Sequence, residues 1–287
     1  MFATEGDFEM NHGSTLHCAI GGVACAVLLG ACGGGGNSSD SGGATAQALK
    51  TGRFVDAAVE GLAYVCGSAS GTTNGNGEFQ YPEGASCTFR IGGITLGSAA
   101  AAALLTPVSL VPGASDETNV TVVNIVRLLI SLDSDGNPAN GITISPAVAT
   151  ALATAALNFA VDAGTFSAQA APLVAQALAG RALAAAAAAA AHLNATLLGT
   201  LTGSYGCAYV GAASGNVTIA IANGTITGNG PNFTLAGRVA SSGSATISGG
   251  ATSTGATFTG TFAADGTGRG SWVDTSIGTG TWTCNRS

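Results

Sequence analysis

Hydrophobic and polar residues alternate in the last third of the chain. Val217, Ile219 and Ile221 are separated by polar or small residues, and an Asn223-Gly224 turn follows them. Such alternation places every second side chain on one face of a strand, and turn residues at intervals of eight to ten positions separate successive strands. This pattern is typical of an antiparallel sandwich or barrel. We therefore predict a C-terminal antiparallel β meander or small barrel over residues 199–287.

A ten-residue repeat lies near the end of this segment. The tripeptides GTF, GSW and GTW begin at Gly260, Gly270 and Gly280, so each glycine precedes an aromatic residue by two positions. The two residues share one face of a strand, where the ring can cover the glycine. Rings on an outer face would be able to stack on sugars, but the same-face alternation favours packing in the core.

A second β-rich segment occupies residues 51–112. Its short apolar runs are interrupted by the turn pairs Asn74-Gly75 and Asn76-Gly77, which are followed by Phe79 and Tyr81 at alternate positions. Asn-Gly pairs supply the positive φ angles that hairpin turns require. This segment predicts a β-sandwich-like module.

The apolar spacing is helical between residues 113 and 198. Apolar residues at positions 122, 125, 126 and 129 predict a helix over 119–132, with Asp116 or Thr118 as its N-cap. Residues 146–198 are mostly Ala and Leu and are interrupted near Gly164 and at Pro172. They predict two or three further helices, for example over 147–161 and 173–198. The predicted fold class is therefore α+β, with an N-terminal β-sandwich-like module, an Ala-rich helical middle and the C-terminal meander or barrel.

The composition is poor in charge. Only 8% of the residues are charged, and acidic residues outnumber basic ones by 15 to 8. The charged fraction is about a third of the usual one, which favours an exported protein with a polar, uncharged surface. Scattered basic residues provide no patch for phosphates, so the sequence excludes nucleic acid as a partner.

An apolar run over residues 19–31 ends at Cys32. The run has the length of the hydrophobic part of a signal peptide and is too short to span a bilayer. The motif LGAC at 29–32 resembles the lipobox of bacterial lipoproteins, in which the cysteine is acylated and becomes the new N-terminus. The resemblance implies a signal peptide over 1–31 and a covalent lipid on Cys32. Because Gly33 and not Asp follows the cysteine, it also implies the outer membrane, with the protein in the periplasm or at the cell surface.

Residues 32–50 are rich in Gly, Ser and Asn and predict a flexible tether. The alternative to the lipid anchor is an uncleaved apolar segment with a plain buried cysteine. Residues 1–18 contain no Lys or Arg, which a signal peptide ordinarily has at its start.

Four cysteines follow the predicted anchor. An even number in an exported protein predicts two disulfides. Of the three possible connectivities, local pairing of Cys66 with Cys87 and of Cys207 with Cys284 is favoured, because each pair brackets one β-rich segment. The alternative is a zinc site, but the paired Cys-x-x-Cys spacing and a nearby histidine are missing.

The run SGTTNGNGEFQY at 70–81 resembles the hairpin of carboxypeptidase-regulatory-like β modules. Together with the runs at 90–97, 106–111 and 124–145, it resembles a recurrent module of proteobacterial lipoproteins and adhesin-like surface proteins. The matching positions are Gly71, Thr73, Gly77, Phe79, Tyr81, Phe89, Gly92, Gly93, Leu96, Gly97, Asn124, Arg127, Leu128, Leu129, Leu132, Asp133, Asp135, Gly136, Asn140, Gly141 and Ile142. The resemblance covers about a third of the chain and implies a surface location.

The segment DSDGN at 133–137 is similar to a calcium loop. In such loops, oxygen-bearing side chains at alternate positions converge on one hard cation. Ile144 occupies the twelfth position, where an EF-hand needs a bidentate acid, so a full EF-hand is excluded. A smaller calcium site formed by Asp133, Asp135 and Asn137 remains, with a helix-ending Asp-Gly turn as its alternative.

The candidate catalytic residues are few. His192 is the only histidine after Cys32, and no acid or nucleophile adjoins it in sequence, so it is interpreted as an ordinary helix residue. Arg127 is interpreted as structural, either extending to the surface or pairing with an acid, with anion binding as the alternative. The sequence therefore predicts a non-catalytic, lipid-anchored surface protein that functions in adhesion or binds a glycan or protein ligand. The alternatives are an exported carboxylate-dependent hydrolase and a structural partner in envelope assembly.

Overall fold

The computed structural model describes residues 47–250 and 255–287. Cys32, the predicted signal peptide and most of the predicted tether lie outside these residues. Eight strands form the N-terminal β module: β1 (Leu49–Phe54), β2 (Val59–Glu60), β3 (Ala63–Cys66), β4 (Ala69–Thr72), β5 (Glu78–Pro82), β6 (Ser86–Ile91), β7 (Ile94–Ala100) and β8 (Leu104–Leu105).

Two sheets make up most of this module. One is antiparallel and has the strand order β4-β3-β6-β7, whereas the other has the order β5-β1-β8, with β1 antiparallel to β5 and parallel to β8. Alternate residues of the strands face a shared core of aromatic rings. Phe79 of β5 lies 5.8 Å from Tyr64 of β3 and 5.2 Å from Phe89 of β6, measured between ring centroids. The predicted Cys66–Cys87 disulfide joins β3 to β6 inside this core and is confirmed.

The helical region follows. Its α-helices are α1 (Val120–Ser131), α2 (Pro146–Ala151), α3 (Ala163–Ala177) and α4 (Ala186–Leu201), with short 3-10 turns at Pro107–Leu110 and Pro138–Asn140. A two-residue strand, β9 (Ile142–Thr143), pairs in parallel with β2 and ties the region to the N-terminal module. Among the described residues, no helix combines the length and the apolar character needed to cross a bilayer.

Helix α1 lies where the apolar spacing predicts it, but its cap differs. Oδ1 of Asn119 accepts hydrogen bonds from the backbone N–H groups of Thr121 (2.9 Å) and Val122 (3.3 Å). Asp116 instead closes a turn of its own, because its Oδ1 accepts from the backbone N–H of Thr118 at 2.9 Å. Predicting Asp116 or Thr118 as the N-cap was therefore wrong.

The later helices have other bounds than those the Ala-rich sequence predicts. Helix α3 begins at the predicted break near Gly164, where Asp162 is its N-cap, but it runs through the break predicted at Pro172. Three apolar residues of α3 at four-residue spacing are buried, and this packing outweighs the backbone hydrogen bond that the proline removes. Helix α4 begins only at Ala186, because the backbone groups of Ala184 bond to side chains of α1.

The buried side chain of Arg127 in α1 connects these helices through hydrogen bonds. Its Nε donates to the carbonyl of Ala184 (2.8 Å), its Nη1 to the carbonyl of Ala163 (3.2 Å) and its Nη2 to Oγ of Ser167 (2.7 Å). Its guanidinium also lies 5.2 Å from the ring centroid of Phe166. The structural role expected from the sequence is present, but carbonyl oxygens take the place of the acid.

The C-terminal domain is a closed, eight-stranded antiparallel barrel. Its strands are β10 (Gly203–Gly211), β11 (Gly215–Ala222), β12 (Thr225–Asn229), β13 (Thr234–Val239), β14 (Ser244–Gly249), β15 (Ala256–Phe262), β16 (Thr267–Asp274) and β17 (Gly278–Arg286). Each strand pairs with the next, and β17 returns to pair with β10. The predicted Cys207–Cys284 disulfide joins directly opposed residues of these two strands and is confirmed.

Inward positions of the barrel carry its apolar residues, and outward positions carry mainly small and polar ones. Phe262, Trp272 and Trp282 of the ten-residue repeat all face inward, which confirms that these rings pack inside. The glycine that each Trp covers lies across the sheet, not in its own tripeptide. Gly270 is directly opposite Trp282, and Gly280 is directly opposite Trp272.

One end of the barrel is closed by its junction with α4. The hydroxyl of Tyr205 donates to the carbonyl of Leu201 at 2.8 Å, so the first strand is tied to the last turn of the helix. The guanidinium of Arg286 lies 5.4 Å from the centroid of the Tyr205 ring and donates to the Tyr205 hydroxyl at 2.8 Å. The other end of the barrel has no such cover among the described residues.

Candidate functional site

The uncovered end of the barrel contains a cavity of about 250 Å³. The meander places alternate connections at the same end, so the connections β10–β11, β12–β13 and β16–β17 surround this opening, as do Gly250 and Gly255 next to β14 and β15. Four rings line it: Tyr209, Phe233, Phe258 and Trp272. We refer to this cavity and its lining as the barrel mouth.

The rings of the mouth support one another. The Tyr209 centroid lies 6.5 Å from that of Phe233, 6.3 Å from that of Phe258 and 6.1 Å from that of Trp272, in edge-to-face arrangements. Nε1 of Trp272 donates to the carbonyl of Val210 at 3.2 Å, which fixes the indole against β10. Rings held by packing and hydrogen bonding form a wall without further rearrangement.

Small residues near the ends of β14 and β15 leave the space open. Gly249, Gly250, Gly255 and Ala256 line the cavity. Gly249 and Ala256 are paired across the two strands, and a Cβ at Gly249 would lie 3.3 Å from the Phe258 ring and 3.7 Å from the Phe233 ring. The mouth is therefore mostly apolar, with a few polar groups at its rim.

One acid faces the mouth. Asp274 follows Trp272 at the next inward position of β16 and is only 6% exposed. Its Oδ1 accepts hydrogen bonds from Oγ of Ser276 (2.6 Å) and from the backbone N–H groups of Ser276 (2.8 Å) and Ile277 (3.1 Å). The bonds from Ser276 in particular lower the pKa of Asp274 below its usual range, so the carboxyl is ionised at neutral pH.

The sequence-based predictions include neither Asp274 nor the mouth. The ten-residue repeat correctly places Trp272 on the inward face, but alternation does not show at which end a barrel is uncovered. Asp274 could have been identified from the alternation of this strand. Alternate residues share one face, so Asp274 lies on the same face as Gly270 and Trp272 and is an acid on an apolar face.

A second cluster of titratable groups lies between the N-terminal module and α4. Nε2 of His192 is 3.2 Å from Oδ1 of Asp56 and 3.3 Å from the Asp56 carbonyl oxygen. Asp56 is fully buried, and apart from this ion-pair contact its carboxylate has no partner among the described residues. The contact joins residues 136 positions apart, which is why the sequence suggested only an ordinary helix residue at position 192.

The pair makes stability depend on pH. Contact with the Asp56 carboxylate raises the pKa of His192 above its ordinary value of 6.5, and the nearby Asp133 adds to this effect. Burial raises the pKa of Asp56 above 3.8, although His192 opposes the change. Both groups hold a proton more tightly in the folded state, so their contribution to stability falls as pH rises from the ordinary pKa through the raised one.

We therefore expect the melting temperature to fall between pH 6 and pH 9, and to fall less in His192→Gln. His192 is the only histidine in residues 47–287, so it dominates titration in this range. Thermal unfolding followed by circular dichroism at both pH values measures the effect. Equal declines in the two proteins would show that the pair does not set the pH dependence.

The predicted calcium residues are only partly brought together. Burial, together with the nearby Asp135 carboxylate, raises the pKa of Asp133. Oδ1 of Asp133 accepts from the Thr143 backbone N–H at 2.9 Å, while its buried Oδ2 has no partner among the described residues. Oδ1 of Asp135 accepts from the Asn137 backbone N–H at 2.8 Å, as in an Asp-Gly turn. No group of three acidic, histidine or cysteine side chains in the described segments is arranged to hold a metal ion.

Calcium binding by this loop stays a prediction. For a weak site with a Kd of about 1 mM, 10 mM calcium is expected to stabilise the protein by about 1.4 kcal/mol. Calcium titration by calorimetry, combined with thermal unfolding, measures this. Asp135→Asn should abolish the response, whereas Asp265→Asn, which changes a turn acid in the barrel, should retain it. An unchanged melting temperature in the unmodified protein would dismiss the site.

Comparison with known proteins gives no relative from which a function is transferable. The chain matches no protein-family model. It also matches no curated protein and no solved structure.

Proposed function

We propose that this chain is a non-catalytic, lipid-anchored protein of the bacterial outer membrane whose barrel binds a small, largely apolar ligand at its mouth. Three features of the sequence support the envelope location: the lipobox ending at Cys32, the low charge and the even number of later cysteines. The barrel presents the binding site, and the N-terminal module and helices support the barrel.

The observation that carries the proposal is the preformed aromatic cavity. Protein interiors are close-packed, and eight-stranded barrels are either filled by side chains or hold one small ligand. Here Phe262 and Trp282 fill the lower interior, whereas the rings of the mouth surround about 250 Å³ of space. This volume suits a single ring or a compact branched group.

The lining favours an apolar ligand over a glycan. A sugar needs several hydrogen-bonding groups besides an aromatic face. At the rim, the Ser276 hydroxyl already bonds to Asp274, and most of the remaining wall consists of rings, glycine and alanine. Binding of a small molecule therefore fits the mouth better than adhesion through carbohydrate.

The two tryptophans of the chain allow a direct test in the full-length protein. Their indole N–H groups give two NMR signals, which the Trp272→Phe variant assigns. We expect tert-butylbenzene, a compact apolar probe, to shift the Trp272 signal in a saturable manner. The Trp282 signal should change little, because its Nε1 bonds deeper in the barrel to the carbonyls of Thr259 and Ser271, both at 3.1 Å.

A matched pair of variants locates the site. Ala256→Leu places extra volume in the mouth and is expected to remove probe binding. Thr259→Leu adds an apolar side chain to the outward face of the same strand and should leave binding intact. Binding that survives Ala256→Leu, or no shift with any probe in the unmodified protein, would contradict the proposal.

The lipid anchor has a separate test. Cells that express the protein and are fed an alkyne fatty acid are expected to label it, and Cys32→Ala should lose the label. Cys25→Ala, in the same apolar run, serves as the control and should keep it. Equal labelling of the Cys32→Ala variant and the unmodified protein would exclude acylation at Cys32.

A further inference from the structure

We propose that the ligand of the barrel mouth is a small organic cation of the quaternary or tertiary ammonium class, with Asp274 as its counter-charge. This inference rests on the proposed function and names the ligand class of the same site. Its starting point is an ionised acid on the inward face of an otherwise apolar barrel end.

The turn that Asp274 caps involves only one of its two carboxylate oxygens. Oδ1 accepts the three hydrogen bonds of the β16–β17 turn, and these bonds stabilise the charged form of the side chain. An asparagine oxygen could close the same turn, so the turn alone does not require the charge. Oδ2 has no protein partner among the described residues, and a cation in the mouth could pair with it.

Asp265 closes a similar turn in another part of the barrel. Its Oδ1 also closes a turn, accepting from Oγ (2.7 Å) and the backbone N–H (2.9 Å) of Thr267, but its side chain is exposed. Arg269 and Arg286 lie close enough to lower the pKa of Asp265 further, in addition to the hydrogen bonds from Thr267. Asp274 has no Lys, Arg or His partner within the described residues, and none lines the mouth.

The rings of the mouth complement a cation as well. The faces of Tyr, Phe and Trp rings carry partial negative charge and attract ammonium groups, most strongly where water is excluded. Tyr209, Phe258 and Trp272 are arranged around the cavity that Asp274 borders. A trimethylammonium group offers methyl groups to the apolar wall and a dispersed positive charge to the rings and the carboxylate. The same charges repel anionic ligands.

Two probes of nearly equal shape test the charge. Phenyltrimethylammonium is the cationic counterpart of tert-butylbenzene, so the two differ chiefly by one positive charge. From the attraction of the cation to the rings and to the Asp274 carboxylate together, we expect the cation to bind with a Kd lower by about tenfold or more. The shift of the Trp272 indole signal in the full-length protein gives both constants, and added salt should weaken only the binding of the cation.

The Asp274→Asn variant removes the charge while keeping an oxygen that can close the turn. It is expected to raise the Kd of phenyltrimethylammonium about tenfold and to leave that of tert-butylbenzene unchanged. Asp265→Asn is the matched control and should alter neither constant. If Asp274→Asn does not fold, the comparison of probes and salt in the unmodified protein still decides the question.

The outcomes separate the two proposals. If tert-butylbenzene binds as tightly as the cation, or if Asp274→Asn leaves the Kd of the cation unchanged, Asp274 is not a counter-charge and the inference is wrong, although the mouth still binds ligands. If neither probe shifts the Trp272 signal, both proposals are wrong.

Discussion

Replacing both Cys207 and Cys284 by serine is expected to lower the free energy of unfolding by about 4 kcal/mol. The disulfide closes a loop with a sequence separation of 77 residues, so its loss increases the conformational entropy of the unfolded chain substantially. It also joins the first and last strands of the barrel at directly opposed positions. Without it, only main-chain hydrogen bonds and side-chain packing hold this seam together.

Urea unfolding followed by tryptophan fluorescence measures this loss, because both tryptophans lie in the barrel. The matched control is the double replacement of Cys66 and Cys87, whose sequence separation is 21 residues. Its loss, followed by circular dichroism, should be smaller, at about 3 kcal/mol, and should leave the tryptophan transition of the barrel unchanged. A loss below about 1 kcal/mol for the 207/284 pair would mean that the seam does not depend on the disulfide.

Gly270→Val is expected to destabilise the barrel by about 3 kcal/mol or more. A Cβ added at this position would lie 2.7 Å from Nε1 of Trp282 and 2.7 Å from Cα of Gly260, and would collide with the carbonyl oxygen of Thr259. Trp282 cannot move aside easily, because its indole is buried and bonded to two carbonyl groups. The strands would have to separate to admit the new side chain.

Gly206→Val provides the control for this change. Gly206 lies on an outward, exposed position of β10, and a Cβ there would meet no atom within 4 Å. Valine is favourable in strands, so stability should stay within about 0.5 kcal/mol of the unmodified protein or rise. Thermal unfolding of the two variants measures both effects. Similar melting temperatures for Gly270→Val and the unmodified protein would show that the barrel adapts around Trp282.

The features predicted well from the sequence are local ones. Alternation at Val217, Ile219 and Ile221 placed a strand and its buried face correctly, and the cysteine positions indicated the right pairing. The strand follows from a periodic pattern, and the disulfide pairing was one of only three possible connectivities. The predicted cap of α1 was wrong because several residues before the helix can close a turn: Asp116 closes one at Thr118, and Asn119 caps the helix.

The candidate site depends on long-range contacts, which the sequence does not encode in any simple pattern. Trp272 was correctly placed inside, yet its position at an uncovered end follows from the way the opposite end is tied to α4. The Asp56–His192 pair likewise depends on how α4 packs against the N-terminal module. The continuation of α3 beyond Pro172 was not predicted for the same reason. The packing of its buried face outweighs the low helix propensity of the proline.

The pairing of β17 with β10 also determines the order in which the barrel is able to form. Every other pair in the barrel is a hairpin between neighbouring strands, which closes quickly because little chain separates its partners. The last pair joins the two ends of the domain and has to wait until β17 has been synthesised. Until then one edge of β10 is unpaired and able to bind strands of other molecules. The nine residues of β17, Gly278–Arg286, are thus the segment on which correct closure of the nascent barrel depends most.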